Sequence, residues 1–395
     1  MKIRLHKTIL FAGCLIALAA MVFLATSCTS FGSRARADSL YSAADSCYNN
    51  KEYTKAYALY QQAAQAGHTG AMNQLGWMYH KGEGLSIDYQ KAMQWYRKAA
   101  AGGNSAAMTN IGWMYDKGEG TTEDNVKAVE WYQKAIDAGN TVAVVDLAWM
   151  YENGEGVAQD YKKAMQYYKK AAMAGDAVGM NNIGWMYEEG EGEPVNYAKA
   201  MQWFSKAAKA GSADGMCNIG WMHDNGEGVT QDYAKAMAWY QRAAKEGNAR
   251  AMNNIGWLYY KGAGVSRNYS QAVAWYAQSA RAGYNLALFN LGQMYENGEG
   301  VRLSYTIAMG CYQHAAKAGN VNAMNNIGWL YEKGKGVPPD YKMAMEWYQK
   351  AATAGSTEAM TNIAQLYEKG MGLEKDSAKA AEWHKKAEKA KSLQK

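Results

Sequence analysis

Proline is nearly missing from this 395-residue chain, at three residues in all, and cysteine, phenylalanine and histidine are scarce at five, five and six. So few prolines, beside 49% hydrophobic residues and thirty tyrosines, describe a folded helical chain rather than a disordered one. Cys47, Cys217 and Cys311 share no common spacing, which excludes a regular disulfide ladder and leaves buried free thiols. His68, His80, His223, His314 and His384 are equally scattered and suggest no metal cluster or catalytic dyad. Excess charge is missing from the body of the chain as well. The formal net charge of +6 arises from Lys2, Arg4, Lys7, Arg34 and Arg36, all ahead of the first acidic residue, Asp38, and leaves 37 basic against 36 acidic residues beyond them. Such a balance gives no reason to expect a nucleic-acid partner.

The first 28 residues differ from the rest. A basic start is followed by an apolar run from Ile9 to Ala25 and then Thr26-Ser27-Cys28, the layout of a secretory signal segment. Leu24-Ala25-Thr26-Ser27-Cys28 resembles a bacterial lipobox, with the bulky Leu one place earlier than that pattern prefers. The resemblance implies lipidation at Cys28, and Thr29 in place of Asp leans toward the outer membrane. Plain cleavage and an uncleaved N-terminal membrane anchor stand beside it, because the apolar run lies at the lower edge of spanning length. The chain is therefore expected to be exported, to the periplasm or the outer membrane.

Beyond this segment the chain is repetition. Gly or Ala followed by Trp or Gln returns every 36 residues, at 76, 112, 148, 184, 220, 256, 292, 328 and 364, with no insertion in nine copies. A fixed period of this size means one supersecondary unit stacked only on its neighbours. Within one copy Met108, Ile111, Gly112 and Tyr115 mark the apolar face of a first helix, helix A. Gly118 and Gly120, kept in every copy, suit a left-handed cap and a tight turn. Position 124 and its equivalents are Asp, Asn or Ser throughout, all good N-caps. Ala128, Trp131, Tyr132, Ala135 and Ile136 then form the apolar face of helix B, with its Trp read as core.

These residues resemble the Sel1-like repeat, a relative of the tetratricopeptide repeat, over 68 to about 390. The resemblance implies an all-α, right-handed α-α superhelical solenoid. The expected organisation is a signal segment at 1–28, a linker at 29–38, a tetratricopeptide-like capping helix pair at 39–67, the array at 68–390 and a tail at 391–395. Glu388 at an otherwise apolar position, with Lys385, Lys386, Lys389 and Lys391 around it, polarises the last helix as an end cap should.

Helix A carries a second stripe that the core does not explain: Trp77, Trp113, Trp149, Trp185, Trp221, Trp257 and Trp329, replaced by Gln at 293 and 365. In tetratricopeptide-like solenoids this position lines the concave groove. One turn earlier stand Asn73, Asn181, Asn253 and Asn325. Two readings remain open: indoles and amides form a binding groove, or each Trp packs on its neighbour and joins the repeats. The position at 80, largely acidic in later copies, either favours basic partners or is a solvated helix end.

The expected function is a non-enzymatic scaffold or adaptor of the bacterial cell envelope, a monomeric array holding a protein or peptide, with no cofactor or metal. A peptidoglycan binder using the Trp stripe is the alternative. A β-lactamase-like hydrolase is the weakest reading, because the paired cysteines of the relatives linked to that activity are missing.

Overall fold

The computed structural model describes residues 34–393, and every regular element among them is a helix. The signal segment and the lipidation site at Cys28 lie outside the described residues. These residues form two compact units, the first ending at Met186 with Gly190–Pro194 added, the second made of Tyr187–Glu189 and Val195 onward. Each unit is a stack of antiparallel helix pairs, the all-α solenoid architecture that the period predicts.

The first pair is α1 (34–49) and α2 (Tyr53–Gln65), so that α1 begins inside the segment read as linker. Helix A of the nine copies is α3 (Thr69–Lys81), α5 (Ser105–Lys117), α7 (Val142–Asn153), α9 (Ala177–Glu189), α11 (Ala213–Asn225), α13 (Ala249–Lys261), α15 (Asn285–Asn297), α17 (Val321–Lys333) and α19 (Thr357–Lys369). Helix B is α4 (Tyr89–Ala101), α6 (Asn125–Asp137), α8 (Tyr161–Met173), α10 (Tyr197–Lys209), α12 (Tyr233–Lys245), α14 (Tyr269–Arg281), α16 (Tyr305–Lys317), α18 (Tyr341–Thr353) and α20 (Ser377–Leu393).

The helix-B tyrosine is the centre of each pair. Tyr96, Tyr132, Tyr168, Tyr240, Tyr312 and Tyr348 are fully or almost fully buried, with Phe204 in the same place. Glycine on helix A receives this ring: a Cβ on Gly112 would come within 2.7 Å of the Tyr132 ring. That close approach explains a residue which otherwise costs a helix interior about 1 kcal/mol relative to Ala. Helix A then stops at Gly118, whose φ of +66° caps it in the left-handed conformation. Gly120 (φ +68°) lies against the preceding helix B, where a Cβ would meet the Tyr89 carbonyl oxygen at 2.7 Å. The turn is thereby also an inter-repeat contact.

The predicted N-caps all form. The Lys127 N–H donates to Asp124 at 3.0 Å, and the same bond recurs in every helix B down to Asp376. Ser304 makes the longest of them, at 3.4 Å. Substituting such caps by Ala costs about 1 kcal/mol each.

One packing expectation is corrected. The helix-B tryptophans are half-buried at the core margin rather than within it, and in every copy but that of Trp275 a basic residue one turn later lies over the ring, as Lys134 does at 4.4 Å from Trp131 and Arg242 at 4.1 Å from Trp239. Tyr132, the next residue, points inward instead, and it fills the space that a Trp would have to share. Cys47, Cys217 and Cys311 are free thiols, and Cys217 is fully buried.

Candidate functional site

The helix-A tryptophan follows the residue that seats the tyrosine ring, so a rotation of about 100° carries it off the core face. Trp149, Trp221 and Trp257 are 37%, 43% and 36% exposed. Trp77, Trp113, Trp185 and Trp329 are half-buried, and Trp113 and Trp329 also pack on their cores. Each indole is therefore partly covered by the stack and partly open to solvent. In the first unit they alternate with lysines from the ends of helix A. Lys81 Nζ lies 4.8 Å from the Trp77 ring and 5.5 Å from the Trp113 ring, and Lys117 Nζ lies 5.3 Å from that of Trp149. Cations over indole faces are attracted by about 0.5–2 kcal/mol.

The asparagines divide from the tryptophans. Asn181, Asn253 and Asn325 are buried and Asn73 is half-buried. Asn110 donates to Asn73 at 3.0 Å, Asn290 to Asn253 at 2.8 Å and Asn362 to Asn325 at 2.9 Å. These bonds join consecutive A helices and hold the spacing of the indoles. The signal was present as Asn at the following position, 37 residues on, but nothing in one copy says that the two meet.

The acidic position is not a solvated helix end, except at Glu368. Asp116, Glu188 and Asp224 are buried, and Glu152, Glu296 and Glu332 are half-buried. Four of them accept from the core tyrosine sixteen residues later: Tyr168 donates to Glu152, Tyr240 to Asp224 at 3.1 Å, Tyr312 to Glu296 and Tyr348 to Glu332 at 2.8 Å. The last copy repeats the pairing with His384 and Glu368 at 3.1 Å. His80 takes the acid's place in the first copy and pairs with Glu119 at 2.9 Å. Where Phe204 supplies no hydroxyl, burial and the neighbouring Glu227 push Glu188 up to about 8.

Two cavities open on this face at the same register of the repeat. In the first unit a cavity of about 180 Å³ is lined by Trp113, Asp116, Lys117, Tyr132, Asp146, Trp149 and Met150. In the second a cavity of about 370 Å³ is lined by the equivalents Trp329, Glu332, Lys333, Asn362 and Gln365, together with Glu296, Asn325, Asn326 and Glu358. Both surround an indole with carboxylates, a setting suited to cationic and apolar groups together. A third cavity, of about 410 Å³ and lined by Arg34, Asp38, His68 and Thr69 among others, includes no residue of the stripe.

A chain built of stacked antiparallel helix pairs at a fixed period is a helix-pair repeat solenoid. The Sel1 repeat model matches residues 50–68 in part and nine full copies from 69–104 to 357–392, and the chain belongs to the Sel1 repeat family. It is similar to a protective antigen of uropathogenic Escherichia coli displaying an SLR fold, at 31% identity and a TM-score of 0.57 over 90% of this chain and 79% of that one. A Sel1 repeat protein from Oxalobacter formigenes is similar at 29% identity and a TM-score of 0.55, over 62% of this chain and 96% of that one. No curated protein matches the chain by sequence. Sel1-repeat proteins generally bind other proteins, and the fold suggests a scaffold for protein interaction.

Proposed function

We propose that the chain is an interaction scaffold that holds a protein or peptide along the face carrying the helix-A tryptophans. The observation that carries this reading is the partial exposure of helix-A indoles in each unit, Trp149 in the first and Trp221 and Trp257 in the second, each more than a third accessible. Rigid, half-open aromatic side chains are favoured anchors because they bury large area while losing few rotamers. The buried Asn bonds support the same reading, since they fix the spacing of the anchors before a partner arrives. We place the scaffold at the cell envelope, tethered through Cys28, on the sequence of the N-terminal segment alone.

Capture from an envelope extract by the purified protein, beside a variant with Trp113, Trp149, Trp185 and Trp221 changed to Ala, tests the proposal. A protein that co-purifies with the wild type and not with an equally helical variant supports it. Capture that survives all four substitutions contradicts it. Trp-dependent sedimentation with purified cell wall, without a protein partner, replaces it with the glycan reading.

A further inference from the structure

The α5–α7 cavity holds more negative charge than its own residues satisfy. Asp116 is only 8% exposed. Its Oδ2 lies 2.9 Å from Lys117 Nζ, while its Oδ1 is buried without any hydrogen-bond partner. In the equivalent positions Asp224 and Glu332 accept from the core tyrosine. Asp146 adds a second carboxylate at a position where the eight other copies carry Asn or Gln. The residue that it would meet in the amide series is Thr109, whose hydroxyl donates instead to the Ser105 carbonyl at 3.2 Å. Burial, then Asp116 and Asp176, push Asp146 up to about 6, against a smaller pull from Lys117. Two carboxylates line the cavity, and Lys117 is the one cation among its lining residues. A buried carboxylate oxygen without a hydrogen-bond donor is costly, and an arriving cationic donor offsets that cost.

We propose that this cavity receives a basic side chain, a lysine or arginine of the bound polypeptide, held by the Asp116 and Asp146 carboxylates against the Trp113 and Trp149 indoles. Lys117 shows how the site treats a cation: one ammonium touches a carboxylate and lies 5.3 Å from an indole at once. An arginine would use the same two contacts, because its guanidinium donates along its edge and stacks through its face. The cavity of about 180 Å³ suits one side chain rather than a folded surface. This inference rests on the helix-A face being the partner surface and names the chemistry that the partner brings to it.

The test uses the full-length protein with 15N-labelled tryptophan, the Trp113 and Trp149 indole signals being assigned by Phe substitution. N-butylguanidinium is the probe, and n-butylurea is its neutral control. Saturable shifts of those two signals with the guanidinium alone are expected. Asp116→Asn with Asp146→Asn should weaken the response at least about tenfold, the scale of a desolvated charge pair. Lys117→Met should strengthen it about two- to fivefold, since a competing partly exposed pair is removed. The other indole signals report that the variants remain folded. Equal shifts with n-butylurea, an undiminished response in the double variant, or no saturable shift with the guanidinium would each overturn the proposal. If envelope capture depends on the tryptophans while the guanidinium does nothing, the cation site falls and the scaffold stands. If the guanidinium binds and no protein is captured, the scaffold reading is the one that fails.

Discussion

The α5–α7 and α17–α19 cavities lie at one register of the same repeat, six copies apart, and differ in what their residues are doing. At α17–α19, Glu332 accepts from Tyr348 at 2.8 Å and pairs with Lys333 at 2.6 Å, and Asn362 donates to Asn325 at 2.9 Å. At α5–α7, Asp116 Oδ1 is buried without a partner and Asp146 replaces the amide. A second indole, Trp149, stands where the later cavity has Gln365. The same helix-pair repeat therefore supports a satisfied wall in one place and an unsatisfied, aromatic one in another. Regularity builds the scaffold, and the copies that depart from it are where the two cavities differ.

The largest expected effect is on binding. Trp113→Ala with Trp149→Ala should weaken capture of the isolated partner by more than about 2 kcal/mol, roughly thirtyfold, because exposed aromatic anchors dominate such interfaces. Trp329→Ala, with only one indole in its cavity, should cost under about 1 kcal/mol in the same titration. Equal losses at both places would remove the distinction between the cavities.

Next comes the tyrosine bond. Tyr348→Phe should lower local stability by about 1.5–3 kcal/mol, the range for a hydrogen bond to a charged group, read as faster amide exchange in α17 and α18. Tyr132 has no such bond to Asp116, so Tyr132→Phe should stay within about 0.5 kcal/mol in α5 and α6. A matched loss at Tyr132 would show that Asp116 is satisfied after all.

Asp146→Asn should do the reverse and stabilise the first unit, by about 1–2 kcal/mol near neutral pH. Its folded pKa is raised to about 6, through burial, Asp116 and Asp176, with Lys117 opposing and Tyr132 lining the same cavity. A carboxyl whose pKa rises on folding favours the fold while protonated, below its ordinary value of 3.8, and that contribution is lost as pH climbs through about 6. The gain in the Asn variant should therefore fade as pH falls toward 4 in a denaturant series. Asn362→Asp should have the opposite sign, about 1 kcal/mol destabilising, because Asn325 loses its donor.

Much of this fold was legible before any coordinates. The 36-residue period, the paired turn glycines and the run of Asp, Asn and Ser caps each specify a local conformation, and local conformations repeat along the chain wherever their residues do. The Trp stripe was legible for the same reason, since a residue one step past the seating glycine must leave the core face. Contacts between helices were not. Asn110 meets Asn73 across two copies and Tyr348 meets Glu332 across the two helices of one because of how helices pack, and a period gives the spacing of copies without the register at which helices touch. The helix-B Trp was misplaced for a related reason: Trp131 and Tyr132 both fit an apolar face, and only packing decides which ring enters it. The sequence left the acidic position between a partner-facing edge and a solvated helix end, because its hydroxyl donor lies sixteen residues away on the other helix.

The central claim is that the helix-A tryptophans meet the partner and the helix-B tryptophans do not. Photo-crosslinking of intact cells, with a photoreactive phenylalanine in place of Trp149 or Trp131, tests it most directly. The account predicts a discrete crosslinked protein from position 149 and none from position 131. A crosslink of equal strength from 131, or a band from 131 alone, would contradict it.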